Sequence, residues 1–212
     1  MSKITEIAEL VEKGKAKLVG PAVQAALDEG CDPMVILNQG MIETMNIVGE
    51  KFRTGVIFVP EMLVAAKAMK KGVEVLKPHL STGSTGALGK VLIATVSGDL
   101  HDIGKNLVAM MIESTGFEVI DLGVDVPTEK ILEAYQNNPD TKIICLSALL
   151  TTTMPAMKDT VAALNASDFR KSIKIMVGGA PITQAFADEI GADGYSDDAA
   201  SAASLAKKLA AA

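Results

Sequence analysis

Two fold classes follow one another in this sequence: a four-helix bundle, then an α/β domain built on a doubly wound, parallel, five-stranded sheet. Three observations predict this. Apolar residues recur at helical spacing from Ser2 to about Leu80. The run STGSTGALGK (Ser81–Lys90) then brings small polar residues and three glycines. After it, short apolar runs alternate with helical stretches. The expected organisation is a helical domain over 1–82, a linker over 83–89 and an α/β domain over 90–212.

In the first half, Ile4, Ile7, Leu10 and Val11 share one helical face. Leu37, Met41, Met45, Val48 and Phe52 form a second stripe, and Met62, Ala66, Met69, Val73 and Leu76 a third. Ser2 is placed to cap the first helix, Asp32 before Pro33 to cap the third, and Pro60 suits the first turn of the fourth. KGKAKLVGPAVQAALDEG supplies the second helix. In the second half the expected strands are Val91–Val96, Glu118–Asp121, Lys142–Ser147, Ile173–Val177 and a short one at Gly194–Tyr195. Helices are expected to begin near Asp102, Thr128, Met154 and Ile182, and DDAASAASLAKKLAAA supplies the last. Apolar strands alternating with helices imply a parallel sheet covered on both faces. Five such units give a flavodoxin-like order, in which ligands bind at the carboxyl ends of the strands.

Composition narrows the function. A net charge of −6 without a basic cluster argues against a nucleic-acid partner. No apolar run approaches the length of a membrane span, and the opening MSKITEIAELVEKGK lacks the order of a signal peptide, so a cytoplasmic location is expected with no membrane partner. Cys31 falls in a loop and Cys145 in an apolar run, and with no CxxC pair or histidine cluster neither a disulfide nor a zinc site is expected.

The chemistry concentrates in VLIATVSGDLHDIGKNLV, Val91–Val108, where an apolar strand ends at Gly98 and is followed at once by Asp99 and His101. Four readings of this loop are open. It could bind phosphate at a helix start, although GxGxxG and GxxxxGK[ST] are absent. His101 could be a general base oriented by Asp99, but no GxSxG serine or nearby cysteine supplies a nucleophile. His101 could simply be hydrogen-bonded at a helix start. Or it could ligate a metal through one ring nitrogen while Asp99 holds the other. One protein ligand is too few for a bare ion, so such a metal would arrive within a larger cofactor.

GDLHDIGKN (Gly98–Asn106) resembles the DxHxxG motif of cobalamin-binding domains, with Asp99, His101 and Gly104 in the motif positions. LSALLTTT (Leu146–Thr153) is similar to that family's SxL segment, and GGAP (Gly178–Pro181) to its double glycine. GEKFRTGVIFVPEMLVAAKAMK (Gly49–Lys70) resembles the cap bundle that precedes the corrinoid domain in methionine synthase and in small corrinoid proteins of methyltransferase systems. The resemblance covers nearly the whole chain and implies a carrier that binds cobalamin or a related corrinoid.

It also implies roles. His101 is the metal ligand, coordinating cobalt after the cofactor's benzimidazole base has swung away; Asp99 and then Thr153 form a hydrogen-bond relay behind it. Gly98, Leu100, Asp102 and Ile103 belong to the same cofactor-binding loop. Ser147, Leu149, Thr151, Gly104, Gly178 and Gly179 line a slot for the displaced nucleotide tail. Phe52, Val59 and Met62 cover the upper face of the cofactor, a role that does not exclude their being bundle core. The implied partners are a substrate-specific methyltransferase, a second methyltransferase delivering to tetrahydrofolate or a thiol, and a reductive activator. Methylamines or methanol are the implied methyl sources, and the chain is not expected to catalyse alone. An adenosylcobalamin mutase subunit and a corrinoid-dependent sensor are the alternatives.

Overall fold

In the computed structural model, residues 2–79 and 88–211 are described. They divide into a helical unit and an α/β unit. The expected linker at 83–89 lies outside the described residues except for Leu88 and Gly89.

The helical unit begins with α1 (Lys3–Glu12), whose first turn is capped where Ser2 Oγ accepts the Thr5 amide at 3.1 Å. α2 (Ala16–Asp28) buries Val19, Val23 and Ala26. The third helix, α3, runs through residues 33–53. Asp32 caps it by accepting from the amides of Met34 and Val35, and Pro33 occupies the first turn. The sequence predicts a regular helix here, but Ile36–Ile42 is π-helical, flanked by α-helical Pro33–Val35 and Glu43–Arg53. Ile36, Leu37, Gly40 and Met41 are all buried in this wider turn, and Thr44, Met45 and Val48 continue the stripe in the α-helical part. The wider turn keeps both adjacent pairs, 36–37 and 40–41, on the core side. α4 (Val59–Leu76) carries Pro60 in its first turn and buries Met62, Ala66, Met69 and Leu76. A 3-10 turn at Lys77–His79 follows.

The α/β unit alternates β1 (Lys90–Thr95), α5 (Ile103–Glu113), β2 (Glu118–Asp121), α6 (Thr128–Asn137), β3 (Thr141–Ser147), α7 (Met154–Asn165), β4 (Lys174–Gly178), α8 (Gln184–Ile190), β5 (Gly194–Tyr195) and α9 (Ala199–Ala210). All pairings are parallel, in the order β2-β1-β3-β4-β5. This is the flavodoxin-like order that the sequence predicts. β1, β3 and β4 are buried along almost their whole length, as strands covered on both faces must be. Leu92, Ala94, Ile144, Leu146, Ile175 and Val177 join Ile131, Met157, Val161 and Leu164 in one core. α5 and α9 pack together, whereas α6 contacts α7 and α7 contacts α8. β5 is a two-residue edge.

Boundaries differ from expectation by a residue or two, for local reasons. Lys90, one residue before the expected start of the first strand, already pairs in β1, while Val96 makes only an isolated bridge to Val126. β3 starts at Thr141 and β4 runs over Lys174–Gly178, not 173–177. α5 starts at Ile103, not Asp102. α8 starts at Gln184, not Ile182, because Thr183 caps it by accepting the Phe186 amide. Both cysteines are free, and burial pushes the Cys145 thiol up to about 12. No helix among the described residues is long and apolar enough to cross a membrane.

Candidate functional site

The sheet order fixes where a site can form. The chain leaves β1 toward β2 on one side, and β3 lies on the other, so the reversal point lies between the carboxyl ends of β1 and β3. The loop after β1 carries Asp99 and His101; the loop after β3 carries Leu149, Leu150 and Thr153.

Asp99 is completely buried, and each of its carboxylate oxygens is saturated. Oδ2 accepts from the Leu149 amide at 2.7 Å, the Leu150 amide at 3.4 Å and the Thr153 hydroxyl at 2.8 Å. Oδ1 accepts from the His101 amide at 3.1 Å and lies 2.7 Å from His101 Nδ1. Burial alone would push this carboxyl up. The Leu149 and His101 amides, the imidazole and the Thr153 hydroxyl outweigh it and hold Asp99 well below the usual carboxylate range. An ionised acceptor beside Nδ1 makes that nitrogen the N–H donor. Nε2 therefore carries the free lone pair, on a side chain that is 50% exposed. An imidazole oriented by a carboxylate on one nitrogen and open at the other is the arrangement of a metal ligand.

The segments that carry this histidine and its supports present large apolar side chains to solvent. Leu100 is 72% exposed and Ile103 84%, and Leu149 and Leu150 are exposed as well. Large aliphatic side chains exposed on the segments after β1 and β3 suit contact with a broad, largely apolar group. Among the described residues no group of three or more His, Cys, Asp or Glu could hold a metal ion by itself. A metal at His101 would thus need to bring its remaining ligands with it.

Glycine placement agrees. Gly104 is helical without a positive φ, and a Cβ there would meet nothing within 4 Å. Neither backbone nor packing explains a glycine at that position, whereas close approach by a bound group would. Gly179 is different: its φ is +129° and a Cβ would lie 1.9 Å from the Ala148 carbonyl oxygen. It is required by the approach of the β3 loop to the end of β4. Gly178 pairs with Ser147 and accepts the Ala148 amide through its carbonyl. Gly98, with φ +80°, makes the turn that leads into Asp99.

Of the residues singled out from sequence, Asp99, His101, Leu149 and Thr153 thus meet directly. Ser147 is half-buried at the end of β3, and Thr151 is exposed in the 3-10 turn Thr151–Thr153. Asp102 is exposed and accepts from Asn106 at 3.1 Å. Phe52, Val59 and Met62 belong to the helical unit, where Met62 is core, Phe52 half-buried and Val59 39% exposed.

Sequence reasoning missed several supports. Thr95 is fully buried, and its hydroxyl donates to the His101 carbonyl at 2.8 Å. Lys105 is buried and donates to Asp121 and Asn106. Asp125, in the loop after β2, accepts from the Gly98 amide at 2.7 Å. A polar residue inside an apolar strand was the available signal for Thr95; Lys105 and Asp125 sit in stretches that read as ordinary surface.

A doubly wound sheet with a carboxylate-oriented histidine at its switch point defines an α/β module whose ligand site lies at the carboxyl ends of its strands. Residues 89–204 match the family described as "B12 binding domain", and residues 3–77 match a second family model of the same description. The chain belongs to the B12-binding family. It is 44% identical over 208 residues to dimethylamine corrinoid protein 1 of Methanosarcina acetivorans, covering 97% of this chain and 96% of that protein. A corrinoid protein of Desulfitobacterium hafniense is 37% identical, with 99% and 98% covered. Among solved structures, the methanol:cobalamin methyltransferase complex MtaBC of Methanosarcina barkeri aligns with a TM-score of 0.86 at 32% identity, covering 99% of this chain and 80% of that chain.

Proposed function

We propose that this protein carries a methyl group on the cobalt of a bound corrinoid, in the cytoplasm, between two methyltransferases. One loads the group from a methylamine, methanol or a similar donor. The other delivers it to tetrahydrofolate or a thiol, and a reductive activator restores the carrier after adventitious oxidation. The observation that carries this reading is the half-exposed His101, whose Nδ1 is held by the buried Asp99 so that Nε2 is left to ligate, on segments that also expose Leu100, Ile103, Leu149 and Leu150. Full-length similarity to a dimethylamine corrinoid protein supports the substrate class.

When bound, the corrinoid supplies a cobalt centre that accepts and releases a methyl group. The chain's own residues do the rest. His101 would hold the metal through Nε2, taking the place of the cofactor's own nucleotide base. Asp99 holds the Nδ1–H tautomer that leaves Nε2 able to ligate, and Thr153 with the Leu149 amide keeps Asp99 in place. Ser147 and Thr151 offer hydroxyls to the nucleotide tail, with Leu149, Gly178 and Gly179 as walls and Gly104 as the point of closest approach.

The test is reconstitution with a cobamide. Stoichiometric uptake, a nitrogen splitting in the electron paramagnetic resonance spectrum of the cobalt(II) form that changes when histidine is labelled with 15N, and methylation on mixing with a methylamine methyltransferase are the expected results. Absence of the histidine splitting in a fully loaded protein overturns the ligand assignment; failure of every methyltransferase to load it overturns the carrier assignment.

A further inference from the structure

Asp125 is the one non-glycine residue with positive φ among the described residues, at +49°. A left-handed backbone is a conformation that side chains other than glycine adopt at a cost, so something must hold this aspartate there. The hydrogen bonds show what. Its Oδ1 accepts from the Gly98 amide at 2.7 Å and lies 3.4 Å from Ser97 Oγ, while its own amide donates to the Asp99 carbonyl at 2.9 Å. Side chain and main chain of one residue therefore grip the loop on both sides of the Gly98–Asp99 peptide.

The grip extends backward along the chain. The Leu122 amide donates to the Ile93 carbonyl, the Thr95 amide to the Gly123 carbonyl, and the Val126 amide to the Thr95 carbonyl. The segment after β2 thus continues alongside the end of β1 and delivers Asp125 under Gly98. Gly98 itself has φ +80°, a turn that free chains leave readily. With that turn pinned, the Asp99 carboxylate is presented to the Leu149 amide, the Thr153 hydroxyl and the imidazole together.

We infer that Asp125 is a positioning residue, which acts through the Gly98–Asp99 peptide to hold the Asp99–His101 pair in its ligating arrangement before any corrinoid binds. The inference rests on His101 as the functional ligand, but it concerns the corrinoid-free protein and is measured there. Asp125→Gly removes the acceptor while suiting the left-handed backbone, and Asp125→Asn keeps an oxygen acceptor without the charge. If the role is positional, Asp125→Gly should speed hydrogen exchange of the Gly98 amide and of His101 Nδ1–H about fivefold, the size of one partly solvated bond to a charged acceptor. Asp125→Asn should recover much of that protection, and amides in mid-β3 such as Ile144 should exchange as in the parent.

After reconstitution, the Asp125→Gly protein should show a heterogeneous histidine splitting in the cobalt(II) spectrum. Parent-like exchange at His101 Nδ1–H in Asp125→Gly overturns the inference, as does equal loss of protection in mid-β3, which would mark Asp125 as a general stability residue. Asp125→Ala is a second acceptor-free variant; should it fail to fold, Asp125→Gly alone decides the matter. A parent protein that lacks any histidine splitting defeats the ligand assignment, yet leaves the exchange comparison to decide Asp125.

Discussion

Replacing Asp99 by asparagine should do more than weaken a hydrogen bond, because it reverses the imidazole. The carboxylate accepts on both oxygens, whereas a carboxamide accepts on one and donates on the other. Its oxygen belongs on the Oδ2 side, where the Leu149 and Leu150 amides and the Thr153 hydroxyl all donate. The amide nitrogen is then left 2.7 Å from His101 Nδ1, at the position of Oδ1. Two donors cannot share that contact. The ring answers by moving its proton to Nε2, so that Nδ1 accepts from the new carboxamide and Nε2 loses the lone pair that ligation needs.

The His101 amide, which donates to Oδ1 at 3.1 Å in the parent, has no way to adapt. One unsatisfied main-chain donor costs ~1–3 kcal/mol, and turning the remaining charge-assisted bonds into neutral ones adds ~1–2 kcal/mol. A total of about 3 kcal/mol lowers the melting temperature of a domain this size by about 10 °C. Long-range 1H–15N spectra of histidine-labelled, corrinoid-free protein report the tautomer, and the cobalt(II) resonance of the loaded protein reports ligation. An Asp99→Asn protein that keeps Nδ1–H and a parent-like histidine splitting would refute the reasoning, whatever its melting temperature.

Gly104→Ala should separate folding from binding. Added helix propensity stabilises the corrinoid-free protein by ~0.5–1 kcal/mol, since the new methyl meets nothing, while titration with a cobamide should show affinity reduced at least about tenfold. Gly179→Ala should harm both, because its Cβ would overlap the Ala148 carbonyl; a loss of ~3 kcal/mol or more is expected in denaturant unfolding. Asp99 also sets an acid limit. Its folded carboxyl binds a proton less readily than the ordinary carboxyl near 3.8 of the unfolded chain. Its contribution is therefore complete above that pH and lost as pH falls below it, and the stability difference between the parent and Asp99→Asn should shrink over the same range in acid-unfolding curves.

The strands were legible because a sheet covered on both faces demands apolar runs, and β1, β3 and β4 are such runs. The ends were not, since they depend on pairing: Val96 looks like strand in sequence but finds only an isolated partner in Val126. The π-helical Ile36–Ile42 escaped for a related reason, as its apolar residues also fit an α-helical stripe. At the site, Asp99 and His101 stood out because polar residues directly after an apolar strand need explaining. Asp125 did not, because an aspartate between two valines in a loop has no meaning until the fold sets it under Gly98. Lys105 misled for the opposite reason: a lysine reads as surface unless a partner such as Asp121 is known to accompany it inward.

The carboxylate behind His101 is held by residues 50 to 54 positions further along the chain. When the ribosome has just released His101, Leu149 and Thr153 have yet to be made, and the nascent polypeptide has nothing with which to orient the ring. Competence to load the cofactor must then arise late, when β3 docks beside β1, and a truncated translation product ending before Leu149 would hold an imidazole free to adopt either tautomer.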